Sequence, residues 1–398
     1  MQGEISLNYY RPMSVFGSLY HFCIALIPVL YIFKFPVLNI SLGTVVILAV
    51  VPYSIMYILK GINKNYHIHS YVFLLFYVYL ILRSDGNTTR IVLCISTFLI
   101  LWGQMKGATD NARIRNIIEV FALINVALLV IQVVSYYGVH IHIQYLPRVL
   151  VYEEYQESYV FRELSGLYRP SALFLEPSHF SQYCIFALIS ALFPASGPVR
   201  MKRAIAIGTG CILTTSGMGI ALTFGVFAWY VFLNKQRINK KLLIIIGCIP
   251  VLLVALLVLS RTAFFQTAIQ RVFSNVDGYN AVSGRIHNWD DAIGTMHGSL
   301  LWFGYGDNYN YKLYLTGLAD MIYKYGILSI VLEGSCFLYL MIKKKNSYIW
   351  CCCVVFIILF CVAHITNFVA QVFYFGILIA DASVEKTKYE GVISGQVF

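Results

Sequence analysis

The sequence predicts an all-α polytopic membrane protein with about twelve transmembrane helices and two long outer (periplasmic) segments. Three observations carry this. The chain of 398 residues is 59% hydrophobic and only 12% charged, whereas a soluble domain carries about a quarter charged residues. The apolar residues fall in blocks separated by short polar stretches, and roughly 20 of them suffice to cross a hydrocarbon core. The basic residues sit in small clusters between the blocks, which is how orientation is set in a bilayer. Backbone groups in lipid must be satisfied within their own segment, so the blocks read as helices. The alternating short strands of a barrel are not present in the sequence.

The expected spans are 15–33, 39–59, 68–83, 89–104, 116–137, 179–195, 204–215, 217–233, 242–259, 324–342, 347–363 and 365–380. The stretch 204–233 contains a break, Thr214-Thr215-Ser216-Gly217-Met218-Gly219. Arg200, Lys202 and Arg203 precede it; Lys235, Arg237, Lys240 and Lys241 follow it. A single crossing strands one cluster on the outer side. Two short crossings keep both inside, as the positive-inside rule prefers. The organisation that follows has spans 1–5 over 1–137, a first periplasmic segment at 138–178 and spans 6–9 over 179–259. A second periplasmic segment at 260–323 comes next, then spans 10–12 over 324–380 and a tail at 381–398. Both termini are expected to be cytoplasmic. The stretch Val139-His140-Ile141-His142-Ile143 alternates like a strand or an amphipathic surface piece.

Composition also narrows function. The net charge of +11 comes from topogenic clusters rather than a basic face, so no nucleic-acid partner is expected. The ten cysteines all lie in apolar blocks, where they read as small buried hydrophobes and not as a disulfide framework. The Cys351-Cys352-Cys353 run lacks metal-ligand spacing. No cofactor and no metal are expected.

The unusual side chains gather in the two outer segments. The first holds Arg148, Arg162, Arg169 and Glu176 among Tyr152, Tyr155, Tyr159 and Tyr168. The second holds Arg261, Arg271, Arg285, His287, Trp289, Asp290, Asp291 and His297. Arginine suits bidentate phosphate recognition, and tyrosine and tryptophan offer flat faces with polar tips. Together they fit a phosphate with a polyhydroxylated partner; singly, each fits a lipid headgroup or the interfacial aromatic belt. The sharpest local motif runs from Arg169-Pro170-Ser171 to Glu176-Pro177-Ser178-His179-Phe180. Pro177 suits the first helical turn, with Glu176 placed well for the dipole. Glu176 is either an acidic helix start or a group that takes a proton from a sugar hydroxyl. A helix N-terminus and a nearby arginine favour the carboxylate and weaken it as a base, so it also suits orienting the acceptor. Arg285 and Trp289 share a helical face at i, i+4, ahead of a Gly304-Tyr305-Gly306 turn expected to end that element. The histidines and the Asp290-Asp291 pair also read as solvated surface. Glu333 falls in mid-span, where a charge is costly and a functional role is the default reading, with a protonated, hydrogen-bonded acid as the alternative.

The run Arg169-Pro170-Ser171 with Pro177-Ser178-His179-Phe180, the Thr214-to-Ser216 break, and Arg285 and Trp289 before Gly304 and Gly306 occur in this order. In this the chain resembles the Wzy-type O-antigen and capsular polysaccharide polymerases, in the superfamily shared with O-antigen ligases. The resemblance spans about 140–340. It implies a metal-independent membrane glycosyltransferase at the periplasmic face of the bacterial inner membrane. That enzyme moves a growing glycan from undecaprenyl pyrophosphate to a new lipid-linked repeat. The implied partners are this lipid-linked oligosaccharide, membrane lipids and a polysaccharide chain-length regulator. Carried over by position, Arg169 and Arg285 handle pyrophosphate and Glu176 is the acidic residue of the Glu-Pro motif. Arg162, Tyr168, His179, Arg261, Arg271, His287, Trp289 and Tyr305 are the expected substrate-binding residues around them. Two departures stand out. Ser216 is followed by Gly217 where the family often has arginine, so that contact is either absent or supplied by Arg261 or Arg271. No histidine follows the glycine turn (Asp307-Asn308-Tyr309-Asn310), which favours polymerase over ligase. A ligase and a lipid-linked saccharide transporter are the alternatives; few charges lie in mid-span, which speaks against a transporter.

Overall fold

The computed structural model describes residues 15–35, 40–60, 68–145, 147–152, 163–164, 167–195, 197–233, 283–309, 315–343, 346–363 and 371–379. Its helices are α1 (Val15–Leu30), α2 (Leu42–Lys60), α3 (Ile68–Leu82), α4 (Thr88–Met105), α5 (Asn111–Val139), α6 (Pro177–Leu192), α7 (Met201–Leu213), α8 (Gly217–Leu233), α9 (Ser283–Ile293), α10 (Ser299–Phe303), α11 (Gly317–Lys343) and α12 (Ser347–Val362). Residues 371–379 are also helical. Four helices are long and apolar enough to cross a bilayer: α2, α4, α5 and α11. Four shorter apolar helices, α1, α3, α8 and α12, accompany them. The chain is a multi-pass, all-α membrane protein. The expected span 242–259 and the residues Arg162, Arg261 and Arg271 lie outside the described residues.

Local sequence explains where the helices begin. Asn87, Asp110 and Asn346 are N-caps whose side chains accept from the backbone N–H of Arg90, Arg113 and Tyr348. Each satisfies one of the donors left over in a first turn. The alternation at 139–143 is not a strand. Val139 ends α5, His140 closes it in a left-handed conformation with its N–H bonded to the Tyr136 carbonyl, and 141–143 follow as irregular backbone. The mostly apolar run from Phe121 carries the helix to Val139, and a left-handed residue then stops it.

The bundle has two distinct ends. At one, Glu119 of α5 is fully buried and pairs with Arg200 at 2.8 Å and Arg203 at 3.2 Å. Arg115 lies over the Tyr348 ring at 3.2 Å and donates to the Phe193 carbonyl at the end of α6. Arg115, Arg200 and Arg203 at this end belong to clusters that the sequence places in the cytoplasm. Both polar segments emerge at the opposite end, together with the α3–α4 turn.

Helix α6 is the hub. Fourteen of its sixteen residues are buried, because α5, α7, α8 and α12 all pack on it. An apolar helix enclosed on every side has no reason to be amphipathic. The two residues left accessible are Ser178 and His179, in its first turn. Helices α7 and α8 reverse direction at 214–216 and pack antiparallel, with Gly208 facing Thr223 and Phe227. At 13 residues, α7 is only about 20 Å long, short of the ~30 Å hydrocarbon core. The tip of this hairpin rests on α6: Ser181 and Thr214 hydroxyls are 3.2 Å apart, and Gly219 leaves no room for a Cβ beside Ser181. Gly219→Val should therefore lower thermal stability in detergent. The overpacking costs about 1–3 kcal/mol, more than the ~0.5–1 kcal/mol gained by removing a helical glycine. An unchanged melting temperature would show that Ser181 yields freely.

Candidate functional site

The segment 168–176 does not lie on the surface of the loop end. It descends alongside α5 and is largely buried: Ser171, Ala172 and Phe174 are 0% exposed. Irregular backbone at membrane depth is tolerated only where protein satisfies its polar groups, and here two amides of α5 do so. Gln132 Oε1 accepts from the Ala172 N–H at 2.8 Å, and Asn125 Oδ1 accepts from the Leu173 N–H at 3.2 Å. The other halves are used as well. Gln132 Nε2 donates to the Ile143 carbonyl and Asn125 Nδ2 to the Phe121 carbonyl. Ala172 is left-handed at φ 49°, and the Ser171 hydroxyl and carbonyl close the turn onto Phe174. Asn125→Leu or Gln132→Leu strands a buried donor, so each should cost about 1–3 kcal/mol. Hydrogen exchange at 171–173 should rise well before global unfolding; equal protection in both variants would refute the clamp.

The turn delivers Glu176 and Pro177 to the start of α6, as the Glu-Pro spacing predicts. Glu176 occupies the N-cap position with extended backbone, yet its side chain makes no capping bond. Its carboxylate instead accepts from the Ser178 hydroxyl at 3.0 Å. Arg169, Glu176, Ser178 and His179 are each partly accessible, so the one open part of α6 coincides with the charged motif. Phe180 and Val126 both face Gly210, which sets α6 beside the middle of α5. Helix α5 then runs about 15–20 Å past the start of α6, and the motif is recessed by that depth. Above it, Tyr168 is buried and stacks on Tyr136 at 4.3 Å, with His142 edge-on to both. Beside it lies the Thr214–Ser216 tip, whose Thr214 hydroxyl is 3.2 Å from that of Ser181.

The second motif forms part of the same end. Arg285, His287 and Trp289 belong to α9, with the side chains of Arg285 and His287 outside the described residues. Trp289 donates to the Thr316 hydroxyl at 2.9 Å, and the adjacent Gly317 N–H bonds the Ala363 carbonyl past the end of α12. Because α12 packs on α6 and α8, α9 and the Glu176 motif stand at one end of one bundle. The turn at Gly304-Tyr305-Gly306 does not end α9, as the sequence leads one to expect. It closes the separate helix α10, since α9 already stops at Gly294.

That glycine turn has a structural task. Helix α11 is interrupted at Gly326 (φ 72°), which frees backbone carbonyls just before it. The N–H groups of Tyr305 and Gly306 take up those of Tyr323 and Lys324. Gly304 and Gly326 are both left-handed and so closely approached that no Cβ fits. Asp307 then locks the turn. It receives Arg90 Nε at 2.9 Å, the Tyr325 hydroxyl at 2.8 Å and Asn87 Nδ2 at 3.2 Å, while Arg83 donates to the Gly304 carbonyl. Burial opposes ionisation of Asp307, but the bond and charge of Arg90, helped by Tyr325 and Lys324, more than offset it. Its carboxyl is held below the ordinary range. Tyr305 stacks near Tyr323 and Tyr309.

Sequence reasoning did not single out Asn125, Gln132, Arg90 or Asp307. A signal existed for the first two: they are buried amides seven residues apart on one face of an apolar helix.

Residues 204–333 match the family model described as O-antigen ligase, about a third of the chain. This is consistent with the O-antigen ligase/polymerase superfamily. The matched region runs from α7 through the hairpin tip, the second polar segment and the interrupted helix to Glu333. No curated protein matches the chain.

Proposed function

We propose that the protein is a polysaccharide polymerase of the inner membrane, with both termini in the cytoplasm and its active site at the loop end. It transfers a growing glycan from undecaprenyl pyrophosphate to a new lipid-linked repeat. The observation that carries this reading is the coincidence of the accessible turn of α6 with Arg169, Glu176 and His179, in a recess walled by the hydroxyl-rich hairpin tip. In the reaction an acceptor sugar hydroxyl attacks the anomeric carbon of the donor. The bond to the pyrophosphate oxygen breaks and the lipid pyrophosphate leaves. Arg169 and Arg285 neutralise the charge gathering on that leaving group, and the N-terminus of α6 adds its dipole. Glu176 receives or directs the hydroxyl proton, with Ser178 fixing its rotamer. Trp289 flanks the sugar, and Tyr168, stacked on Tyr136, holds the chain that carries Arg169. An apolar groove of about 270 Å³ runs between α1, α2 and α5 to Leu173, which suits a lipid tail reaching the charged turn from the bilayer.

The ligase description of the matched family favours the second reading, transfer to a lipid A core. One experiment separates them. The purified protein is given a defined undecaprenyl-pyrophosphate-linked repeat with EDTA present. A ladder of products establishes a metal-independent polymerase. Transfer only when a lipid A core is supplied establishes a ligase. Inactivity with both overturns the transferase reading.

A further inference from the structure

Glu333 stands apart from the site at the loop end. It lies on the second part of α11, about 10 Å past the Gly326 break and about 15 Å from the Lys343 end. It is 3% exposed, and neither carboxyl oxygen has a hydrogen-bond partner among the described residues. The groups that face it are Tyr77 of α3 and Cys336 of its own helix, and Tyr77 in turn faces Cys94 of α4. None of these is a cation. The bases nearest in sequence along α11 are elsewhere: Lys324 is paired with Asp320 at the loop end. An isolated carboxylate is costly in such surroundings.

Tyr77 leads from Glu333 to a further buried polar group. The Tyr77 hydroxyl donates to Gln371 Oε1 at 3.2 Å, while Gln371 Nε2 has no partner among the described residues. Five residues on, Gly376 packs against Gln104, whose amide is unpartnered at both ends. On the same helix as Gln104, the buried Thr97 hydroxyl is also unpartnered. Buried polar atoms are satisfied in the great majority of cases, and a cluster of exceptions is where buried water is found. A metal cation needs several oxygen ligands, and one carboxyl beside a phenol and a thiol does not supply them. A proton needs only the carboxyl.

We propose that Glu333 is the centre of a proton-binding site inside the bundle, a neutral carboxylic acid whose proton exchanges by way of Tyr77 and its partner Gln371. The proposal stands whether or not the loop end performs glycan transfer.

Dicyclohexylcarbodiimide tests it. This apolar reagent adds to a neutral carboxylic acid and is retained whole as an acylurea, so peptide mapping locates the adduct. The folded protein in liposomes should carry the adduct on Glu333, the yield should fall as pH rises, and sodium or potassium at fixed pH should not protect. Glu333→Gln should lose that adduct while remaining monodisperse. The wild-type protein alone decides the matter if the variant does not fold. No adduct on Glu333 in folded protein, a yield independent of pH, or protection by either cation at constant pH each overturns the site.

Discussion

Arg169→Ala is expected to slow glycan transfer by about 100- to 1,000-fold without changing the fold. Loss of one preorganised donor aimed at developing charge costs about that much. Arg169 sits at the entry to the buried turn, between Tyr168 stacked on Tyr136 and the Gln132-held Ala172. Its backbone is therefore positioned whatever its side chain. Arg169→Lys keeps the charge but loses the planar fork, and should fall between the alanine variant and the parent. The check is the rate of ladder growth at saturating lipid-linked repeat, with size-exclusion profiles to confirm folding. A full rate in the alanine variant would return Arg169 to headgroup contact and remove it from the site.

Asp307→Ala is expected to have the largest effect on stability. It leaves Arg90, Asn87 and the Tyr325 hydroxyl without their shared acceptor. Breaking a buried pair from one side costs about 3–5 kcal/mol. The Arg90 side chain is 23% exposed, so the lower end of that range applies. Thermal unfolding in detergent measures it, and Asp307→Asn should lose less because it retains an acceptor. A fall of under about 1 kcal/mol in the alanine variant would show that the glycine turn holds by its backbone bonds alone. The folded carboxyl is held below its ordinary value. The contribution is then fully present above about pH 4, the unfolded value, and is lost as pH falls through the lower folded one. Stability should drop more steeply in the parent than in Asp307→Asn across that acid window.

Much of this architecture could be read from single residues. Among the described residues the apolar blocks give helices where spans are expected, Pro177 marks the start of α6, and the Thr214-to-Gly219 break is a true reversal. These are local signals, set by composition, capping and turn chemistry over a few residues. What could not be read is who meets whom. Gln132 and Ala172 are 40 positions apart, and Arg90 and Asp307 are 217 apart. Nothing in an arginine at the head of one helix announces an aspartate in a distant turn. The same holds for the burial of 168–176: a stretch bounded by Arg169 and Glu176 reads as solvent-exposed until the amides that accept it are located. The strand at 139–143 failed for a different reason. Short alternation weighs little against a long helix already under way.

The amide clamp also makes α5 a kind of vernier. Asn125 and Gln132 reach the loop because seven residues are close to two full turns. One residue inserted or deleted between them would swing Gln132 by about 100° around the helix and turn its amide toward lipid. An insertion past Val139 would leave their phase untouched. The inner stretch of this helix is thus metered in single residues.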